Sequence, residues 1–184
     1  MIVEGEFTFQ GPREMVWNLL QDPEVLAKAL PGAKTLTQTA EDRFEGAMQV
    51  GVGPVTAGAF SVTVVLKDQV APERFSMQVD GKGGIGFTRG TASVELRAAE
   101  GGGTLMKYRA DLQIGGKIAG VGQRVLDSAS RAMTKQGLEA VNRELQSRLT
   151  GAAPAPARSR TRYWAAAALA LVALTIALCG GPWQ

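Results

Sequence analysis

Apolar and polar residues alternate with period two over residues 2–10, where Val3, Phe7 and Phe9 fall on one side. That is the pattern of a half-buried strand. Gly11-Pro12 then begins a helix, since proline suits a first turn, and Met15, Val16, Leu19 and Leu20 give it an apolar face. Asp22-Pro23 opens a second short helix with Val25, Leu26, Ala29 and Leu30 as its stripe, and Pro31-Gly32 stops it. Strand-like runs follow at residues 33–39, 43–50, 55–70, 73–80, 86–98 and 104–114. Turn-forming residues separate them at Glu41-Asp42, Gly51 to Pro54, Ala71-Pro72, Gly81 to Gly84 and Gly101-Gly102-Gly103. Gly115-Gly116 closes the last run. Over residues 117–149 the period becomes helical, with Ile118, Val121, Val125, Ala129, Ala132, Met133, Ala140, Val141, Leu145 and Leu149 as the stripe.

This order predicts an α+β domain. A curved antiparallel sheet of about seven strands wraps around a long C-terminal helix, with two short helices after the first strand. Alternation also predicts what points inward. Phe60, Val62, Val64 and Leu66 share a face, as do Phe75, Met77 and Val79, then Val94 and Leu96, then Met106, Tyr108, Ala110, Leu112 and Ile114. Opposite them the helix is read as offering small residues, Gly120, Gly122, Ser128, Ala129 and Ala132. Small residues facing a bent sheet leave volume that close packing would otherwise fill, and methionines adapt to varied apolar guests. The expected lining of a hydrophobic cavity is Phe60, Val62, Val64, Phe75, Met77, Phe87, Val94, Met106, Tyr108, Leu112, Ile118, Val121, Val125, Ala129 and Met133. For most of these positions taken singly, an ordinary core residue is the competing reading.

The tail differs in kind. Residues 150–162 are an Ala/Pro/Arg linker, and residues 163–179 contain no charged side chain. As a helix these seventeen residues span about 26 Å, enough to cross a bilayer core. Tyr163 and Trp164 sit where an interfacial aromatic belt belongs, and Arg158, Arg160 and Arg162 precede them. The positive-inside rule therefore predicts a single-pass anchor in the cytoplasmic membrane, with residues 1–149 facing the cytoplasm and 180–184 as a short tail.

Charge narrows the function. The sequence pI is about 9.2, yet without the three linker arginines seventeen basic groups face seventeen acidic ones. A balanced domain lacks the basic footprint of a nucleic-acid binder. There is no histidine, and the one cysteine is Cys179. Histidine-based catalysis, most zinc sites and an internal disulfide are thereby excluded. Gly81-Lys-Gly83-Gly-Ile-Gly86 has dinucleotide-loop spacing, but a strand follows it where that loop needs a helix, so it reads as a hairpin. Gly115 to Gly122 reads either as a tight strand-to-helix turn or as a flexible cavity mouth. Asp80, Glu95 and Asp111 lie in strands, with Glu95 and Asp111 turned outward, so no catalytic acid–base pair is expected.

Several stretches together resemble CoxG, an accessory subunit of carbon monoxide dehydrogenase whose family lies in the START-like, polyketide-cyclase-like (SRPBCC) superfamily. They are residues 7–17 with Pro12-Arg13-Glu14-Met15-Val16-Trp17, Asp22-Pro23-Glu24 through Leu30-Pro31-Gly32, and Gly51-Val52-Gly53-Pro54. Gly81-Lys82-Gly83, residues 104–111 and Gly115-Gly116-Lys117-Ile118-Ala119 through Gly122 complete the match. The resemblance implies a helix-grip fold and an accessory protein, not an enzyme, that recruits a molybdenum-containing hydroxylase to the membrane. Members often carry a variable linker and a C-terminal membrane helix. The family often has bulky aromatics in mid-helix where this chain has Gln136-Gly137, so the ligand's identity does not carry over. A greasy hollow beside an anchor suits a respiratory quinone or another isoprenoid or lipid, with no covalent cofactor. The competing functions are a tether with a filled core and a START-like cyclase.

Overall fold

The computed structural model describes residues 1–29, 32–52 and 55–151, with residues 50–52 and 55–57 described by backbone alone. Seven strands are present: β1 (Ile2–Phe9), β2 (Ala33–Ala40), β3 (Arg43–Val52), β4 (Val55–Val70), β5 (Arg74–Gly83), β6 (Gly86–Ala98) and β7 (Thr104–Gly115). They form one antiparallel sheet in the order β1-β7-β6-β5-β4-β3-β2. Helices α1 (Arg13–Leu19) and α2 (Pro23–Ala29) lie between β1 and β2, and α3 (Gln123–Leu149) ends the described chain. The β1–β7 pairing carries the chain's start across to its last strand, so the two outer edges are β1 and β2. The pairing of β2 with β3 slips twice, between Ala33 and Thr35 and between Gln38 and Ala40.

Strand parity places the core. Val3 and Phe9 on β1, Phe44 and Met48 on β3, Phe60 to Leu66 on β4 and Phe75, Met77 and Val79 on β5 are buried on the inward parity of their strands. Ala92, Val94 and Leu96 on β6 and Met106, Ala110 and Leu112 on β7 continue the face. Against it α3 buries Leu126, Ala129, Ser130, Met133, Thr134, Gly137, Leu138, Val141 and Leu145. Asp22 starts α2 by accepting hydrogen bonds from the N–H groups of Glu24 (3.0 Å) and Val25 (3.3 Å), a side-chain cap. Trp17 on α1 meets Phe75 edge-on, with ring centroids 5.3 Å apart.

The far end of α3 is clamped to the first connection. Asn142 Oδ1 accepts from the Gln10 N–H at 3.1 Å, and Gln146 Nε2 donates to the Gln10 carbonyl at 2.6 Å. Arg148 pairs with Asp22 at 3.2 Å and with Glu144 at 2.8 Å. Burial alone would lower its guanidinium pKa, but these two carboxylates outweigh it and hold the value above the usual one.

The predicted helix over 117–149 is interrupted. Residues Lys117–Val121 form a 3-10 turn, and Gly122 then takes φ +91°, a left-handed conformation that favours glycine, before α3 begins. The glycine-rich stretch 81–86 is a hairpin, with β5 running to Gly83 and the turn at Gly84-Ile85. No described helix is long and apolar enough to cross a membrane. The predicted anchor 163–179, with Tyr163, Trp164, Arg158, Arg160 and Arg162, lies outside the described residues, as do the tail and the linker beyond Gly151.

Candidate functional site

The predicted lining residues mostly come together on the sheet–helix interior. Phe60, Val62, Val64, Phe75, Met77, Val94, Met106, Leu112, Ile118 and Met133 belong to one buried cluster, with Tyr108 and Val121 partly buried against it. Ala129 is also buried. Two predicted members are elsewhere. Phe87 is 46% exposed because β6 turns its even-numbered residues inward, which puts Phe87 on the convex face with its ring over Gly115, its partner on β7. Val125 is 43% exposed. The 3-10 turn advances by about three residues per turn, and the left-handed Gly122 resets the phase. In the first turn of α3 Leu126 therefore takes the inward position in place of Val125, while Ala129, Met133, Val141 and Leu145 of the predicted stripe are buried.

The small residues are placed differently from the prediction. Gly120, Gly122, Ser128 and Ala132 are exposed, and only Ala129 of the predicted set is buried. Ser130, Thr134 and Gly137 face inward in their place. The Ser130 hydroxyl donates to the Leu126 carbonyl at 2.6 Å, and the Thr104 hydroxyl donates to the Gly11 carbonyl at 2.7 Å. Two buried polar side chains have no hydrogen-bond partner among the described residues: the Gln21 amide and the Thr88 hydroxyl. Thr88 projects from the inward face of β6. A buried unpaired hydroxyl has a real desolvation cost. Sequence reasoning missed it, although its even position on β6 was a usable signal.

Tyr108 is the ionisable group nearest the interior. It stands opposite Gly5 on β1, where a Cβ would lie 2.5 Å from its hydroxyl, so the glycine leaves room for the phenol. Burial pushes the Tyr108 pKa up, and the positive charge of Arg131 partly offsets this. A phenol with a raised folded-state pKa stabilises the fold fully below the unfolded-state value, and that contribution is lost as pH rises through the folded-state value. Tm measured from about pH 9 to about pH 11 should therefore fall more steeply for the native chain than for Tyr108→Phe. Parallel curves would show that Tyr108 does not titrate differently in the two states.

Two clefts formed by described residues lie outside this interior. One, of about 460 Å³, is on the convex face of β3, β4 and β5, lined by Arg43, Ser61, Thr63, Val65, Gln78, Asp80 and Lys82. The other, of about 270 Å³, runs between α2 and α3 past Val25, Lys28, Ala140 and Arg143. The first lies on the outward-pointing residues that alternation assigns to solvent. Among the described residues no group of three or more Cys, Asp or Glu side chains could hold a metal ion.

A seven-stranded antiparallel sheet gripping a long terminal helix, with two short helices after the first strand, is a START-like fold. Solved structures share it. A conserved protein from Geobacillus kaustophilus is 26% identical with a TM-score of 0.75, over 80% of this chain and 97% of that one. A START superfamily protein from Mycobacterium smegmatis is 12% identical with a TM-score of 0.57, over 83% and 99%. The Zhui aromatase/cyclase from Streptomyces sp. R1128 is 15% identical with a TM-score of 0.63, over 83% and 97%. The last two likenesses concern the fold alone. The family profile of CoxG, a carbon monoxide dehydrogenase subunit, matches residues 5–146, and the chain belongs to that family. No curated protein matches it.

Proposed function

We propose that this chain is a non-enzymatic accessory protein. It holds a hydrophobic molecule, in our reading a respiratory quinone or related isoprenoid, and recruits a carbon monoxide dehydrogenase-like molybdenum hydroxylase to the cytoplasmic membrane. Family membership supports the accessory role and the partner. The observation that carries the ligand class is the interior: no buried residue among those described is charged. Catalysis by acid–base chemistry needs ionisable groups converging in the site, and an apolar guest needs the opposite. The uncharged run 163–179 supports the anchor, and the arginines before it support a cytoplasmic domain.

Loading requires the interior to open, because its lining side chains are packed together. The 3-10 turn between Gly116 (φ +87°) and Gly122 (φ +91°) is the segment best suited to yield, since both ends rest on glycine conformations. One observation favours a second reading, a tether without ligand: the interior side chains belong to one cluster of buried residues. Mass spectrometry of lipids extracted from the full chain, purified from a quinone-replete host, separates the two. Near-stoichiometric quinone or isoprenoid is expected; recovery of neither would leave the tether.

A further inference from the structure

The two ends of the sheet carry opposite chemistry. Strand pairing puts the connections β2–β3, β4–β5 and β6–β7 at one end, together with the C-terminus of α3, which packs Leu145 and Leu149 near Gly11. Those connections expose Glu41, Asp42, Glu73 and Glu100 and contain no basic residue; of the arginines that flank them, Arg43 and Arg97 pair with Glu45 and Glu95, which leaves Arg74. The opposite end holds the β3–β4 and β5–β6 connections and the segment from β7 into α3. Its only charged connecting residue is Lys117. Lys82, one residue before the end of β5, and Arg124, one residue after the start of α3, flank it. All three cations are exposed, and none enters an ion pair among the described residues.

Apolar side chains reach solvent at both ends, with Val70 and Leu149 exposed at the acidic one. Phe87 and Val125 are among the large exposed hydrophobic residues of the described chain. Ile85 and Val121, at the hairpin turn and the 3-10 turn, are only partly buried. The Ile118 N–H donates to the Ile85 carbonyl at 3.0 Å, which ties the hairpin turn to the 3-10 turn. Exposed apolar groups interspersed with unpaired cations match an anionic lipid surface, where rings enter the headgroup layer and cations meet phosphate.

We infer that the end formed by the β5–β6 turn, the 3-10 turn and the start of α3 docks on an anionic phospholipid bilayer, with Phe87, Ile85, Val121 and Val125 entering the interface and Lys82, Lys117 and Arg124 on headgroups. The inference rests on the anchored reading above and adds an orientation to it. The described chain leaves the domain at the acidic end, since α3 runs about 40 Å from one end to the other. The stretch from Gly151 to Tyr163 reaches about 40 Å when fully extended. A tether of that reach lets the domain lie along the membrane or turn its basic end down, and the charge pattern selects the basic end. The docked surface includes the 3-10 turn through which a guest would pass, so an apolar molecule could cross between bilayer and interior without meeting water.

The test uses the full chain carrying Cys179→Ser, reconstituted in nanodiscs. A fluorophore is placed at Gly84→Cys on the basic end or at Glu100→Cys on the acidic end. Lipid-borne shallow nitroxide quenchers should quench the label at position 84 and spare that at 100 in phosphatidylglycerol discs. Replacing Lys82, Lys117 and Arg124 by glutamine should reverse this, each charge contributing about five-fold to the docked population. Equal quenching at both positions, or none at 84 in a chain that has entered the discs, would overturn the docking and leave the anchor standing. A chain that does not enter the discs would refute the anchor, and the docking with it.

Discussion

Trp17→Ala is expected to cost about 3–5 kcal/mol of folding stability. Trp17 is 6% exposed and its ring stands edge-on to Phe75, which is 2% exposed. It therefore fixes α1 to β5 by burial and by an aromatic pair, the latter adding about 0.5–1.5 kcal/mol. The connection it secures also carries Gln10 and Asp22, which hold the last turns of α3. Loss of the ring should loosen both α1 and the end of α3. Urea unfolding followed by circular dichroism measures the change, and Trp17→Phe should recover most of it. A loss below about 1 kcal/mol would mean that α1 is held independently of this contact.

Ending the chain after Thr150 is expected to move the protein almost completely from the membrane to the soluble fraction. The removed part contains residues 163–179, whose alanine, leucine, isoleucine and valine content favours insertion without any charge to oppose it. Carbonate washing strips electrostatic attachments, so the basic end of the domain should not retain the shortened chain. The measurement is the ratio of pellet to supernatant after the wash, with thermal unfolding as a check that residues 1–150 still fold. A shortened chain that stays in the pellet would assign attachment to the domain and remove the anchor.

Much of this architecture was legible because each strand buries one face. Parity alone placed Phe60, Val62, Val64, Phe75, Met77, Met106 and Leu112 on the inward side, where they are. Turn chemistry located the breaks, although β5 continues through Gly81–Gly83 before turning. Along most of α3 the phase was legible too, since Ala129, Met133, Val141 and Leu145 of the predicted stripe are buried; its first turn was not, because a periodic count assumes an unbroken helix and Gly122 breaks it. Phe87 has the opposite parity to Val94 and Leu96 on β6 and so faces outward. Trp17, absent from the predicted face of α1, is buried with it. The space between the layers could not be read either. Alternation tells which side a residue faces but not how far away the opposing layer stands.

At the outer margin of the sheet, β2 pairs with β3 on one side only, and the two slips in that pairing break the even ladder a newcomer strand would need. Lys34 adds an exposed charge on this strand. Under the proposed anchoring, which would bring copies of the protein together in the plane of a lipid sheet more often than in solution, such a margin resists strand-by-strand polymerisation. Crowding can then raise its surface density without converting neighbours into a fibril.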